Sequence, residues 1–239
     1  MTQWVETPSL FGRMEKLYKE PYKSKEYATD YNKYWVLKED VKPSIDVEIS
    51  IVEKLLTNKK SWLDVACGTG YHLHNVKNKV EKFGVDKSKY MLDYAKSLSE
   101  SDITFYKKDL TKDLKGLQAY DLVTNFGYGY SHQKNLQDVL KFIKNLSKLV
   151  IKSGDLLIGY DGVPDSITNN SWDNDLGRVK IKAVVTDYYQ HSGTSYLNCI
   201  SPTIDTLIET VRDDFKSVNV IKLPLKWKST LLHLKGKRY

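Results

Sequence analysis

Three aspartates sit at or just past the ends of short apolar runs: Asp64 in Ser61 to Ala66, Asp86 after Phe83-Gly84-Val85, and Asp109 beyond Ile103 to Tyr106. A carboxylate accepts hydrogen bonds from ammonium, hydroxyl and amino groups, so three in order suit one polar ligand that carries donors along its length. The first is followed by Ala66-Cys67-Gly68-Thr69-Gly70. Glycines there permit a tight turn and let a ligand lie against backbone amides at the start of the next helix.

A glycine-rich turn alone is shared by NAD and FAD sites. Two details separate the ligands. The turn is not G-x-G-x-x-G, and Asp64 beside it would repel a pyrophosphate but attract the ammonium of an amino acid group. S-adenosylmethionine has that ammonium and no phosphate. Asp86 then stands where an acid accepts the two ribose hydroxyls, and Asp109 where one accepts from the adenine amino group, with Met91 and Leu110 as apolar neighbours of the ring. Any one of these acids could merely cap the helix behind it; all three in order favour the common ligand.

The elements that must hold the acids are read from periodicity. Asp46 to Leu56 carries apolar residues at helical spacing, Ser61 to Ala66 reads as a strand, a helical pattern begins at Tyr71, and Phe83 to Val85 is a second strand. A helix around Lys89 to Leu98, strands at Ile103 to Tyr106 and Tyr120 to Asn125, a helix over about Asn135 to Val150 and a strand at Asp155 to Tyr160 continue the alternation. Such alternation implies an α/β core, a mostly parallel sheet covered on both faces. From Asp161 a polar loop runs to about Gly177, followed by a hairpin of Val179 to Tyr189 and Ser195 to Ile200. A helix from Pro202 to Phe215 and strands at Ser217 to Leu223 and Lys228 to Leu234 close the chain. One domain is expected, with an aromatic-rich N-terminal helical lid over 1–45, the cofactor-binding core over 46–160, an inserted loop and hairpin over 161–201, and a return to the core over 202–239.

The ordered set resembles the class I S-adenosylmethionine-dependent methyltransferases. Leu63 to Gly70 is similar to the family's first motif, Gly84-Val85-Asp86 with Ser88, Met91, Leu92 and Ala95 to the second, and Lys108-Asp109-Leu110 to the third. Tyr120 to Val123 followed by Asn125-Phe126 resembles the fourth, and Leu149 to Ile158, with its Ser153-Gly154 turn, the fifth. The resemblance implies a Rossmann-like, doubly wound, seven-stranded sheet with a final antiparallel hairpin, and S-adenosylmethionine as cofactor. It implies cofactor contacts at Asp64, Ala66, Gly68, Gly70, Asp86, Lys87, Met91, Asp109, Leu110, Asn125, Phe126 and Tyr130. The Leu63 to Gly70 string and the aromatic N-terminus look like small-molecule N-methyltransferases, including those acting on nucleotide-linked amino sugars and on glycine. Asn125-Phe126 departs from the N-P-P-Y type of fourth motif, which disfavours methylation of base amines or glutamine side chains.

Methyl transfer from a sulfonium is an in-line displacement, so an amine acceptor need only arrive deprotonated, whereas a hydroxyl needs a nearby base. Gly127 to His132 follows the fourth strand, where donor and acceptor should meet. Tyr128 or Tyr130 could wall the sulfonium, and His132 could take a proton. Asp161, ending the fifth strand, is a comparable candidate for holding the acceptor. Tyr18, Tyr22, Tyr31 and Trp35 either close over the cofactor or simply pack. His72 and His74 are spaced wrongly for one helical face, so no metal site is expected.

The 239 residues carry a net charge of +7, almost all of the positive charge from lysines spread along the chain. Arginine occurs only at Arg13, Arg178, Arg212 and Arg238, and its bidentate fork is what nucleic-acid readers exploit, so an RNA methyltransferase of cap or other type is the weaker reading. Two cysteines are too few for a disulfide framework, and no apolar run is long enough to span a bilayer, which points to a cytoplasmic protein with no membrane partner. The leading expectation is methylation of an amine or hydroxyl on a small-molecule acceptor, with a nucleotide-linked sugar among the candidates. Lysines clustered at the cleft mouth would point to a phosphate-bearing acceptor. A homodimer and a non-catalytic cofactor-binding subunit are both compatible with the sequence.

Overall fold

The structure, a computed structural model, describes residues 21–98, 102–112, 114–160, 173–174, 177–178, 180–189, 195–223 and 230–239. Its central sheet uses β1 (Ser61–Val65), β2 (Glu81–Asp86), β3 (Ile103–Lys107), β4 (Tyr120–Asn125), β5 (Val150–Tyr160), and, after four strands outside it, β10 (Phe215–Lys222) and β11 (Thr230–Lys237). The order is β10-β11-β5-β4-β1-β2-β3. β1 to β5 pair parallel, and β11 runs antiparallel between β5 and β10. β1 is buried along its whole length, which is why Trp62, Leu63 and Val65 are apolar on both faces of the strand, with Asp64 the buried exception.

Successive side chains of these strands feed two separate cores. Leu63, Val123, Leu156 and Leu234 face one side with Ile143, Leu146 and Leu207, while Trp62, Leu122, Leu157 and Leu231 face the other with Val52, Leu73 and Leu92. The first side is covered by α5 (Leu136–Lys148) and α6 (Ile204–Val211); the second by α2 (Lys42–Leu55), α3 (Tyr71–Asn75) and α4 (Lys89–Ser97). Asp121 ties β4 to β1 by accepting from Ser61 N at 3.0 Å and Ser61 Oγ at 2.8 Å. The strand order reverses between β1 and β4, so a crevice opens above their carboxyl ends.

Several boundaries differ from those expected. α2 starts at Lys42 rather than Asp46 because Pro43 sits in its first turn, where proline's missing N–H costs nothing. β5 begins at Val150 rather than Asp155: the Ser153-Gly154 turn is a bulge inside the strand, with Ser153 at φ 67° and a register shift against β4. The helix expected over Pro202 to Phe215 is shorter. Thr203 caps it by accepting from Thr206 N, Arg212–Asp214 tightens into a 3-10 turn, and Phe215 already belongs to β10. Outside the sheet, β6 (Asp173–Asn174) pairs with β7 (Gly177–Arg178), and β8 (Ala183–Tyr189) with β9 (Ser195–Pro202) as an antiparallel hairpin. That hairpin starts at Ala183, not Val179.

The N-terminal segment lies across the carboxyl ends of the sheet. A 3-10 turn at Pro21–Lys23 leads to α1 (Lys25–Tyr31), capped by Ser24, and then to a π-helical turn at Asn32–Val36. Tyr22, Tyr27, Tyr31 and Trp35 pack on one another there, and Trp35 Nε1 donates to the Tyr27 hydroxyl at 2.8 Å. Two hydrogen bonds fix the segment to the sheet: Ser88 Oγ donates to the Tyr22 carbonyl, and Thr69 Oγ1 to Asn32 Oδ1 at 2.6 Å.

Candidate active site

The turn after β1 places Ala66 at φ 53°, Gly68 at 56° and Gly70 at 69°. Only glycine adopts this left-handed backbone without steric cost, so Ala66 holds a position that costs about 1 kcal/mol and must be compensated by its surroundings. Gly68 is needed for space as well: a Cβ there would lie 3.3 Å from Met91 Cε. Opposite the turn, a Cβ on Gly129 would lie 2.4 Å from the Ala66 Cβ, closer than two carbons can approach. The loop after β4 is thereby pressed directly onto the glycine turn.

Asp64, Asp86 and Asp109 line one pocket with Ala66, Gly68 and Met91. Asp64 is 2% exposed. A relay fixes it: Trp62 Nε1 donates to Thr124 Oγ1 at 2.9 Å, and Thr124 Oγ1 donates to Asp64 Oδ1 at 2.6 Å. Burial pushes the Asp64 carboxyl up to about 6, against the opposing pull of His72 and the Thr124 hydroxyl. Asp86 accepts from Gly68 N at 3.0 Å and Ser88 N at 2.7 Å, which bolts the second strand end to the glycine turn. Burial raises its carboxyl too, with those amides and Lys87 working against the rise. For Asp109, partial burial pulls upward, but the Thr111 hydroxyl at 2.7 Å and the Thr111 amide at 3.0 Å hold it below the ordinary carboxylate value. Both donate to Oδ1, and Lys112 Nζ stands 3.8 Å from Oδ2.

Leu110, Phe126 and Lys87 also line this pocket. Asn125 and Tyr130 stand behind its wall. Asn125 Nδ2 donates to the Val65 carbonyl at 2.8 Å, and its Oδ1 is buried with no partner among the described residues. Tyr130 is buried and its hydroxyl reaches the Gly159 carbonyl at 3.2 Å. Asp161 lies outside the described residues, as does Tyr18.

Several lining residues escaped the sequence reading, His72 among them. His72 is stacked on Phe126 with ring centroids 4.5 Å apart, and its Nε2 is 2.8 Å from Glu48 Oε2, both side chains being buried. Histidine spacing in the sequence spoke only to metal binding, and its partner comes from α2, remote in sequence. Among the described residues no group of three or more His, Cys, Asp or Glu is arranged to hold a metal.

His132 ends the 3-10 turn Gly129–His132 and faces the same pocket from the other side. Its Nδ1 is 3.6 Å from Cys199 Sγ on β9, and the Tyr22 ring meets it edge to face with centroids 5.5 Å apart. Three separate segments therefore enclose it. Burial, reinforced by the Lys87 ammonium, pulls its pKa down to about 4, so the imidazole is neutral in neutral water. Cys67 lines the pocket as well, but burial and the neighbouring Asp86 and Asp64 push its thiol well up, leaving it without thiolate character.

A strand order that reverses at β1, an antiparallel last pair and acids at successive strand ends define the class I methyltransferase architecture. Residues 63–154 match a methyltransferase domain family. Among solved structures, DesVI of Streptomyces venezuelae superposes with a TM-score of 0.64 at 15% identity, covering 89% of this chain and 98% of its own. CalS10, an amino pentose methyltransferase from Micromonospora echinaspora, gives 0.61 at 14% identity over 94% and 100%. The sugar N-methyltransferase KedS8 from Streptoalloteichus gives 0.63 at 14% identity over the full length of both chains. No curated protein matches the chain in sequence. Residues 63–154 thus resemble a methyltransferase domain, and the fold around them is the one those solved methyltransferases share. No helix among the described residues is long and apolar enough to cross a membrane.

Proposed function

We propose that the protein methylates an amino group of a small-molecule acceptor. S-adenosylmethionine supplies an electrophilic methyl on a sulfonium. Asp64 holds the ammonium of its amino acid end, Asp86 accepts from the ribose hydroxyls, and Asp109 accepts from the adenine amino group through Oδ2, since Oδ1 is occupied by Thr111. Met91 and Leu110 flank the ring. The donor set fits: three carboxylates match three donor-bearing parts of one molecule, and the glycine turn is open where a Cβ on Gly68 would intrude on Met91. The N-terminal aromatic segment closes the pocket from above and excludes water, which favours displacement at the methyl.

The observation that carries the choice of an amine is His132. Its imidazole lines the acceptor side of the described pocket, and at a pKa of about 4 it is too weak a base to ionise a hydroxyl. An amine needs no such base. A neutral imidazole can still accept an N–H and orient the nitrogen lone pair toward the methyl. The sugar N-methyltransferase and the amino pentose methyltransferase among the structural neighbours are in keeping with this reading. The test is turnover of S-adenosylmethionine against paired amino and hydroxy sugars of identical skeleton. Adenosylhomocysteine release with the amino members alone is expected; equal release with the hydroxy members would overturn the choice.

A further inference from the structure

The pocket holds two polar groups that the methyl transfer does not use, the His72 imidazole and the Tyr31 hydroxyl. Both belong to its Asp64 end: His72 pulls on the Asp64 carboxyl, and Tyr31 feels Asp86 and Glu48. They meet there from separate elements, His72 from α3, Glu48 from α2 and Tyr31 from the last residue of α1. Glu48 is 1% exposed, and its Oε2 takes His72 Nε2 at 2.8 Å, which fixes the plane of the ring. Among the described residues, His72 Nδ1 and the Tyr31 hydroxyl have no hydrogen-bond partner, and both side chains line the pocket.

A proton lying between Glu48 and Nε2 leaves Nδ1 as the ring nitrogen that can donate to a second carboxylate. Burial, with Tyr27, Asp86 and Glu48 adding to it, pushes the Tyr31 phenol well up, so its hydroxyl is a donor as well. An α-amino acid carries ammonium and carboxylate on one carbon, so a ligand whose ammonium rests on Asp64 brings its carboxylate alongside. The pocket's lysines do not serve this end, because Lys87 and Lys108 adjoin Asp86 and Asp109 in the chain. We infer that His72 and Tyr31 form the carboxylate subsite for the methyl donor, with Glu48 positioning His72, and that the protein thereby rejects donors lacking the carboxylate. This rests on the cofactor placement proposed above. The competing account is a brace, since His72 also stacks on Phe126.

The probes are adenosylhomocysteine and its decarboxylated counterpart, S-adenosyl-3-thiopropylamine, which keeps adenine, ribose and ammonium. Calorimetry on the full chain should show adenosylhomocysteine bound about tenfold more tightly, the worth of hydrogen bonds to a charged group. His72→Gln keeps a donor toward Glu48 and removes the one at Nδ1. It should abolish most of that preference by weakening adenosylhomocysteine alone, with the affinity of the decarboxylated probe unmoved. Tyr31→Phe keeps the ring packing and should cut the preference about threefold, in the same one-sided way. Equal affinity of the two probes for the unaltered protein would overturn the subsite while leaving the cofactor placement intact. Equal weakening of both probes in the variants would overturn it too, since that is how a brace behaves. Should His72→Gln fail to fold, Tyr31→Phe decides by the same criterion. Failure of both probes to bind the unaltered protein overturns the cofactor placement first, and the subsite with it.

Discussion

The two halves of the site are built in different ways. The proposed cofactor half is made by consecutive strand ends of one parallel sheet, so Asp64, Asp86 and Asp109 are placed by the same backbone geometry that forms β1, β2 and β3. The proposed acceptor half around His132 is assembled from a 3-10 turn, a hairpin strand and an N-terminal segment that meet only in the folded chain. A sheet edge is rigid and repeats across many sequences. A meeting point of loops is free to change with the molecule it must recognise. Chemistry common to the class therefore sits on the sheet, and selectivity on what is laid over it.

Substitutions can break or sharpen this contrast, and the largest effect should come from the sheet. Asp86→Ala removes the proposed ribose acceptor and takes from Gly68 N the carboxylate it donates to. Charge-assisted hydrogen bonds of roughly 1.5 to 3 kcal/mol translate to about 100-fold weaker adenosylhomocysteine binding by calorimetry. Unchanged affinity would place the cofactor elsewhere.

Asp64 offers a pH test. Its carboxyl rises from an ordinary 3.8 to about 6 in the folded protein, so the free protein holds the proton more tightly than the unfolded chain. Stability from this group is therefore full at low pH and declines as pH climbs between those two values. The cofactor's ammonium favours the ionised carboxylate, so affinity should increase about tenfold from pH 5 to 7, with a midpoint near 6. Asp64→Asn should flatten that rise; a rise that persists in the variant would assign it to another group.

For the acceptor half, His132→Gln should lower kcat less than tenfold with an amine acceptor and leave adenosylhomocysteine affinity unchanged. Because the imidazole is already neutral above pH 5, the pH dependence of kcat/KM between 6 and 9 should follow the acceptor amine and be the same in the variant. A limb near neutrality that vanishes in the variant would restore His132 as a general base. The smallest effect expected is that of Thr69→Val, which cuts one bond between the N-terminal segment and the glycine turn. About 1 kcal/mol, or 2 to 4 °C in Tm by calorimetry, is the expected loss.

The same contrast decides what could be read without coordinates. The order of strands and helices through β4 follows from apolar runs that are buried on both faces and from helices that alternate with them, and the three acids are visible because each closes such a run. Boundaries slipped where local chemistry overrode the period: Pro43 opened α2 early, and the Ser153 bulge let β5 pass through what looks like a turn. Asn125 and Tyr130 occupy motif positions but serve as bracing behind the wall, a distinction that depends on which way a buried side chain points. The Glu48 and His72 pair, the contact of Tyr22 with His132 and the convergence on one cavity of Lys23, Lys87, Lys107, Lys108 and Lys112 leave no periodic trace, because each joins segments far apart in the chain.

The contact between Ala66 and Gly129 ties the halves together. With 2.4 Å between the Ala66 Cβ and any Cβ placed on Gly129, only one of the two positions can carry a side chain. The pair can change over evolutionary time only in concert, so a lineage that acquires a new acceptor must remodel the loop bearing His132 beyond this hinge of contact while leaving Gly129 bare.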